Sequence, residues 1–354
     1  MLETLNIDVQ KVAKSKISSV DFSDLPFGKV FSDHMLVAEY SDGEWKNVSI
    51  KPYAPIEFTP AMASLHYGQA IFEGLKAFKN EQGEAVIFRP EANFERFNLS
   101  AERMCMPTVP EDIFMKGMSQ LIDIDNEWIP NKPDHALYIR PFMFSTDEFI
   151  GVRPSAKYMF IIFTCPVGAY YSKPVKVKFE TTYSRSCPGG IGFAKAAANY
   201  GGAMYPTMLA QKEGFDQVIW TDSSKHEFIE ESGVMNVMFV IDGKLITPPA
   251  KDTILKGITR DSVLTVARDW GMAVEERPVS VSEVVTAIEE GRLTEAFGVG
   301  TAATISQIAQ ITNGTKDYIL PDPANREFSN KVHKELDAIK KGTVADPHGW
   351  IYKV

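Results

Sequence analysis

The chain has 354 residues, 44% hydrophobic and 23% charged, which is enough to bury a full core and suggests two domains. Its 37 basic and 46 acidic side chains leave a formal charge of −9, a balance that disfavours nucleic-acid backbones and anionic membranes as partners. No run of roughly eighteen apolar residues occurs, and with no secretory hydrophobic stretch among the first residues, no secretory leader is expected. Three cysteines at unrelated spacings, Cys105, Cys165 and Cys187, suit a reducing compartment better than a disulfide framework, so the cytoplasm is the expected location. The histidines are scattered and no CxxC occurs, so no metal site is expected.

In chain order, the first twenty residues are polar and mixed in charge, and read as a loose arm. Glu91 to Cys105 sets Phe94, Phe97, Ala101 and Met104 at 3–4–3 spacing, which predicts an amphipathic helix. Residues 135–145 (HALYIRPFMFS) and 157–165 (KYMFIIFTC) are rich in β-branched and aromatic side chains and read as buried strands. Gly168 to Pro174 (GAYYSKP) breaks that pattern as an interdomain connector. The expected division is a small N-terminal α/β domain at 1–168, a connector at 169–175 and a larger cofactor-binding domain at 176–354. Beyond the connector, Val175, Val177 and Phe179 alternate with polar residues, and 216–221 and 234–241 continue the strands. Helices are expected at 259–270, 280–290 and 324–341, the last ending in Lys340, Lys341 and Gly342. The second half is therefore α+β around a curved sheet or barrel.

Chemistry concentrates in a few segments. Lys195, in CPGGIGFAKAAANYGG, is the only charged residue between Arg185 and Lys212. A lysine among small apolar neighbours loses hydration, and its amine becomes available as a nucleophile or Schiff-base partner. The plainer alternative is a lysine snorkelling out of a small-residue helix. Glu230 and Glu231 stand at the edge of an otherwise apolar strand. A carboxylate there can keep a pyridine nitrogen protonated, whereas a solvated acidic turn is the alternative for at least one of them. Gly257, Ile258 and Thr259 open an apolar-periodic helix whose first N–H groups suit an anion. Gly298, Gly300, Thr301 and Ala302 offer a second turn with exposed amides. Arg96 on the predicted helix can add a positive charge, although an arginine on a helix is commonly solvated. Tyr67, Phe72, Tyr138, Tyr170 and Tyr200 line a pocket or simply pack the core. GVGTAA also matches the G-x-G-x-x-A dinucleotide fingerprint with Asp317 downstream, but the intervening Asn313-Gly314 and the prolines Pro321 and Pro323 leave no room for a βαβ unit.

These segments, in order, resemble the fold-type IV pyridoxal-phosphate enzymes, and within them the branched-chain aminotransferases. The resemblance runs from about Phe27 to the end, through HYGQAIFEGLKAF (66–78), FRPEANFERFNLSAERMCMP (88–107), ALYIRPFMF (136–144), CPVGAYY (165–171), GGIGFAKAAANYGG (189–202), EESGVMN (230–236), ILKGITRDSVL (254–264) and AFGVGTAATI (296–305). It implies a two-domain α+β fold with a pseudo-barrel sheet in the larger domain, pyridoxal 5′-phosphate as cofactor and a homodimer. It also implies amino-group transfer between L-leucine, L-isoleucine or L-valine and 2-oxoglutarate in two half-reactions. Residue by residue, Lys195 would carry the cofactor as a Schiff base and move the Cα proton. Glu231 would face the pyridine nitrogen, and Tyr200 the phenolic oxygen. Arg96, Ile258, Thr259 and Thr301 would hold the phosphate. Thr301, Ala302 and Tyr138 would face the substrate carboxylate, while Tyr67, Phe72 and Tyr170 would shape the side-chain pocket. Arg140 would take the second carboxylate of glutamate. The chain departs from mammalian members, which carry a redox CxxC where Ala303 and Ser306 stand, and it has Lys256 where proline is frequent. Other fold-type IV enzymes (a D-amino-acid aminotransferase or an aminodeoxychorismate lyase), an NAD-dependent oxidoreductase using GVGTAA, and a non-catalytic amino-acid-binding protein are the competing readings.

Overall fold

The structure, a computed structural model, describes residues 6–168 and 173–354. Most of the expected connector, with Tyr170, lies outside the described residues. The chain forms two compact units. The first comprises Met1–Tyr170, Ala194–Ala198 and Ala338–Val354, and the second Tyr171–Phe193 and Asn199–Asp337. Two segments that follow the connector in sequence thus pack with the first unit. Strand pairing is the reason for one of them: Ile351–Lys353 aligns antiparallel with residues 86–88.

The first unit is built on one sheet. Its strands are β1 (Asp8–Val9), β2 (His34–Ser41), β3 (Glu44–Pro52), β4 (Ala70–Phe72), β5 (Leu75–Lys79), β6 (Ala85–Phe88), β7 (Ala136–Ser145) and β8 (Tyr158–Val167). They lie in the order β1-β3-β2-β8-β7-β5-β6, with the C-terminal strand beyond β6 and β4 beside β7. β7 and β8 are apolar on both faces, as their composition predicts, and form the long central pair with Tyr138 opposite Cys165. The helices are α1 (Ala63–Tyr67), α2 (Pro90–Arg103) and α3 (Gly117–Ile124). Pro90 at the first turn presets the helical φ of α2, and Glu91 and Arg103 complement its dipole. α2 buries Asn93, Arg96, Phe97, Ser100 and Ala101 on one side, so its inward face is not purely apolar.

The expected loose arm is an error of the sequence reading for its described part. β1 pairs with β3, the Val12 amide donates to His34 Nε2 at 2.9 Å, and Asp33 accepts from Ser15 Oγ at 2.5 Å and the Lys16 amide at 3.2 Å. Backbone and hydroxyl donors, which composition does not reveal as paired, fix the segment to buried polar acceptors.

The second unit holds β9 (Val175–Phe179), β10 (Gln217–Thr221), β11 (Ile229–Ser232), β12 (Met235–Ile241), β13 (Lys244–Thr247), β14 (Val274–Glu276), β15 (Leu293–Gly300), β16 (Thr304–Asn313) and β17 (Lys316–Ile319). Around them lie α4 (Ala197–Lys212, whose first two residues belong to the first unit), α5 (Ile258–Asp269), α6 (Val281–Glu289) and α7 (Glu327–Lys341). β12, β15, β16, β9, β10 and β11 pair in turn, and β11 pairs back to β12. This closes a six-stranded pseudo-barrel, the curved sheet that the resemblance implies. Closure removes the open edges. Successive strands share one hydrophobic core, with Val177, Phe179, Ile219, Val237, Phe239, Ala296, Ile308 and Ile311 packed together with Val284 and Ala287 of α6. β15 and β16 form an antiparallel pair joined by the turn at residues 301–303. With no crossover helix between them, the GVGTAA segment is not a dinucleotide-binding βαβ unit. Among the described residues no helix is long and apolar enough to cross a membrane.

Candidate active site

In the first unit the chemistry gathers around Lys195. It is not inside a helix, as the snorkelling alternative requires, but lies two residues before α4 begins. Its amide donates to Ser100 Oγ on α2 at 2.9 Å, and its carbonyl accepts from the Phe72 amide on β4 at 3.1 Å. The next residue, Ala196, bridges to Ile71. The backbone is thus held from two sides, and Nζ stands 5.0 Å from the centre of the Phe72 ring.

Arg96 is 8% exposed, so it is not the solvated helix residue that was the alternative. Its Nε and Nη2 meet the two oxygens of Glu73 at 2.7 and 2.8 Å, a fork-to-fork pair. Glu73 is fully buried and also accepts from Asn93 Nδ2 at 2.6 Å and the Gly74 amide at 3.0 Å. Burial opposes its ionisation, but Arg96, Lys195 and Asn93 outweigh it and hold the carboxyl below the usual carboxylate range.

Beside this pair, Arg140 and Tyr138 project from β7. Arg140 Nη2 donates to the Tyr138 hydroxyl at 2.9 Å, and its guanidinium carbon lies 4.6 Å from the centre of the Phe72 ring. Gly74 makes this possible, because a Cβ there would stand 2.3 Å from the Tyr138 hydroxyl oxygen. The first unit therefore brings together Phe72, Arg96, Tyr138, Arg140 and Lys195 of the expected residues. Tyr67, on α1, is exposed, and its ring lies beside that of His66.

In the second unit Glu231 is the centre. At 2% exposed it is no solvated turn, and Glu230 beside it is 7% exposed. Antiparallel pairing of β11 with β10 and β12 places both acids in the barrel wall. Glu231 Oε2 pairs with Arg185 Nε at 2.8 Å, and Oε1 accepts from the Leu255 amide at 2.8 Å and Asn236 Nδ2 at 3.2 Å. Arg185 Nη1 reaches the carbonyls of Thr253 at 3.0 Å and Gly192 at 3.3 Å. Tyr200 shares a small recess with Arg185 and Glu231.

Gly257 precedes α5, and its N-terminus carries no side-chain cap. A Cβ at Gly257 would lie 2.0 Å from Asn236 Oδ1, so glycine is required for Asn236 to tie this turn to Glu231. Ile258 and Thr259 are buried in the first turn of α5, while Thr301 and Ala302 sit half-buried in the turn after β15.

The sequence reading passed over Glu73 and Arg185. The signal for Glu73 was present, a lone acid in the apolar run AIFEGL. Arg185 gave only an arginine ahead of a glycine-rich stretch. Each unit by itself has groups that fit part of a pyridoxal phosphate: the first an amine on a pinned backbone, the second a buried carboxylate suited to a ring nitrogen and a helix start suited to a phosphate.

The amino-transferase class IV family model matches residues 70–311. Branched-chain-amino-acid aminotransferase 2 of Bacillus subtilis (strain 168) is 40% identical, over 99% of this chain and 97% of its own. The branched-chain amino acid aminotransferase of Escherichia coli superposes with a TM-score of 0.75 at 25% identity, covering 90% of this chain and 98% of its own. The fold is shared also by the branched-chain amino acid aminotransferase of Thermobaculum terrenum in its PLP-form, with a TM-score of 0.71, 22% identity, and 90% and 97% of the two chains covered. The closed six-stranded pseudo-barrel and these matches place the chain in the fold-type IV class. The chain belongs to the class IV amino-transferase family, and within it to the branched-chain aminotransferases.

Proposed function

We propose that this protein transfers the amino group of L-leucine, L-isoleucine or L-valine to 2-oxoglutarate, and the reverse, with pyridoxal 5′-phosphate held on Lys195. The observation that carries the reading is the setting of Lys195. It lies within the family-matching span, its backbone is pinned by Ser100 and Phe72, and its Nζ stands over an aromatic face. When bound, the cofactor supplies an electron sink for the charge left at the substrate's Cα.

The chain's residues do the rest. Lys195 Nζ would hold the cofactor in the resting enzyme and, when free, would take the proton from the substrate's Cα. The Phe72 ring lies 5.0 Å from Nζ, and the Glu73 carboxylate interacts electrostatically with Lys195. Glu231, paired with Arg185 and hydrogen-bonded by the Leu255 amide and Asn236, would face the ring nitrogen. Arg96, Ile258, Thr259 and Thr301 would hold the phosphate, and Tyr200 would stand by the phenolic oxygen. Thr301, Ala302 and Tyr138 receive the substrate carboxylate. Phe72, Tyr67 and Tyr170 shape the aliphatic pocket, and Arg140 takes the second carboxylate of glutamate, which explains one pocket serving two kinds of side chain. The same family pattern supports a homodimer, and the free cysteines support a cytoplasmic setting.

The absorption spectrum of the purified protein tests the reading. A visible band that borohydride fixes onto Lys195, located by peptide mass, and that L-leucine bleaches is the expected outcome. Absence of any such band after added pyridoxal phosphate sinks it.

A further inference from the structure

Two consecutive acids on β11 are buried, yet their surroundings are unequal. Glu231 has Arg185 on one oxygen and two neutral donors on the other. Glu230 Oε2 is buried with no hydrogen-bond partner. Besides Glu231, the charged groups acting on Glu230 are Arg185, whose Nε is committed to Glu231, and Asp222, which adds a further negative charge. The Thr253 hydroxyl bonds to it on one side. One guanidinium thus stands against two adjoining buried carboxyls. Ionising both would leave a desolvated negative charge without donors, the situation in which a paired carboxyl keeps its proton.

We propose that Glu230 is a positioning residue that retains its proton up to near-neutral pH, leaving Arg185 to Glu231 and, while it is protonated, the single negative charge of β11 on Glu231. The choice between the two acids follows from the donors: three reach Glu231, and the second oxygen of Glu230 has none. Burial first, and then the Glu231 charge, push Glu230 up to about 7, against the pull of Thr253 and Arg185. The role toward the ring nitrogen rests on the proposed function, while the protonation itself stands independently.

The sign of the effect on stability is fixed. A carboxyl raised from 4.5 to about 7 in the folded chain contributes stability that is full below 4.5 and is lost as pH climbs through 7. Glu230→Gln cannot ionise and removes this dependence. The melting temperature of Glu230→Gln minus that of the wild type, both without cofactor, is expected to widen from pH 5 to 7 and then level off. Infrared spectra of wild-type protein are expected to show a protonated-carboxyl stretch at pH 6 that fades as pH passes 7. That stretch is measured even if the variant does not fold, and in a folded variant it is missing. A constant melting difference, or no protonated carboxyl at pH 6, overturns the proposal. A titrating Glu230 in a protein that shows no cofactor band would instead retain the charge arrangement and remove only its link to a bound ring.

Discussion

The two units each bury a carboxylate–guanidinium pair, and the pairs differ in what stands beside them. Glu73 of the first unit faces two cations, Arg96 and Lys195. Arg185 of the second serves a strand that carries two acids, Glu230 and Glu231. The first therefore holds an excess of positive charge, suited to phosphate and carboxylate groups. The second holds an excess of negative charge, suited to a protonated ring nitrogen or, in its absence, a proton on one acid. A buried ion pair does little for stability by itself, but its neighbours set the sign of the charge that a ligand meets.

Removing each acid tests this difference. Glu73→Gln leaves Arg96 and Lys195 facing each other across a fully buried position, and we expect a loss of about 3–5 kcal/mol, read by denaturant unfolding. Glu231→Gln should cost roughly half as much, because Glu230 can then ionise and take over Arg185. Equal losses in the two variants would show that Glu230 does not substitute. Next in size, Gly74→Ala places a methyl 2.3 Å from the Tyr138 hydroxyl, and overpacking of this kind costs about 1–3 kcal/mol. Since that hydroxyl accepts from Arg140, the KM for glutamate should rise more than the KM for leucine. An equal rise for both would separate Arg140 from glutamate recognition.

The smallest effect concerns thiols. Cys165 is buried on β8, and burial pushes its thiol up to about 11, while Cys105 and Cys187 are exposed. Alkylation at pH 8 should label Cys105 and Cys187 first and reach Cys165 only on unfolding, as peptide mass mapping would record.

Much of this was legible in the sequence. Long periodic or strongly apolar segments declared themselves: α2, β7, β8, β12 and α7 are all found near the places that spacing and composition predicted. So was Lys195, because a single charge in a run of small residues is chemically conspicuous. Arg96 and Glu231 were marked by motif order, but their surroundings were not, and the plain alternative of solvation was wrong for both. Burial of a polar side chain depends on what packs over it from distant parts of the chain, which no local window contains.

By itself, the sequence determined the secondary structure of several long elements, though not of α4, as well as the order of the family's segments and the candidate amine. Tertiary structure alone decided that six strands close into a ring, that the arm is tied to Asp33 and His34, and that Glu73 and Arg185 complete the charge at each centre. Local propensity is a property of neighbours in the chain. The state of a buried charge is set by partners that only folding brings within hydrogen-bond reach.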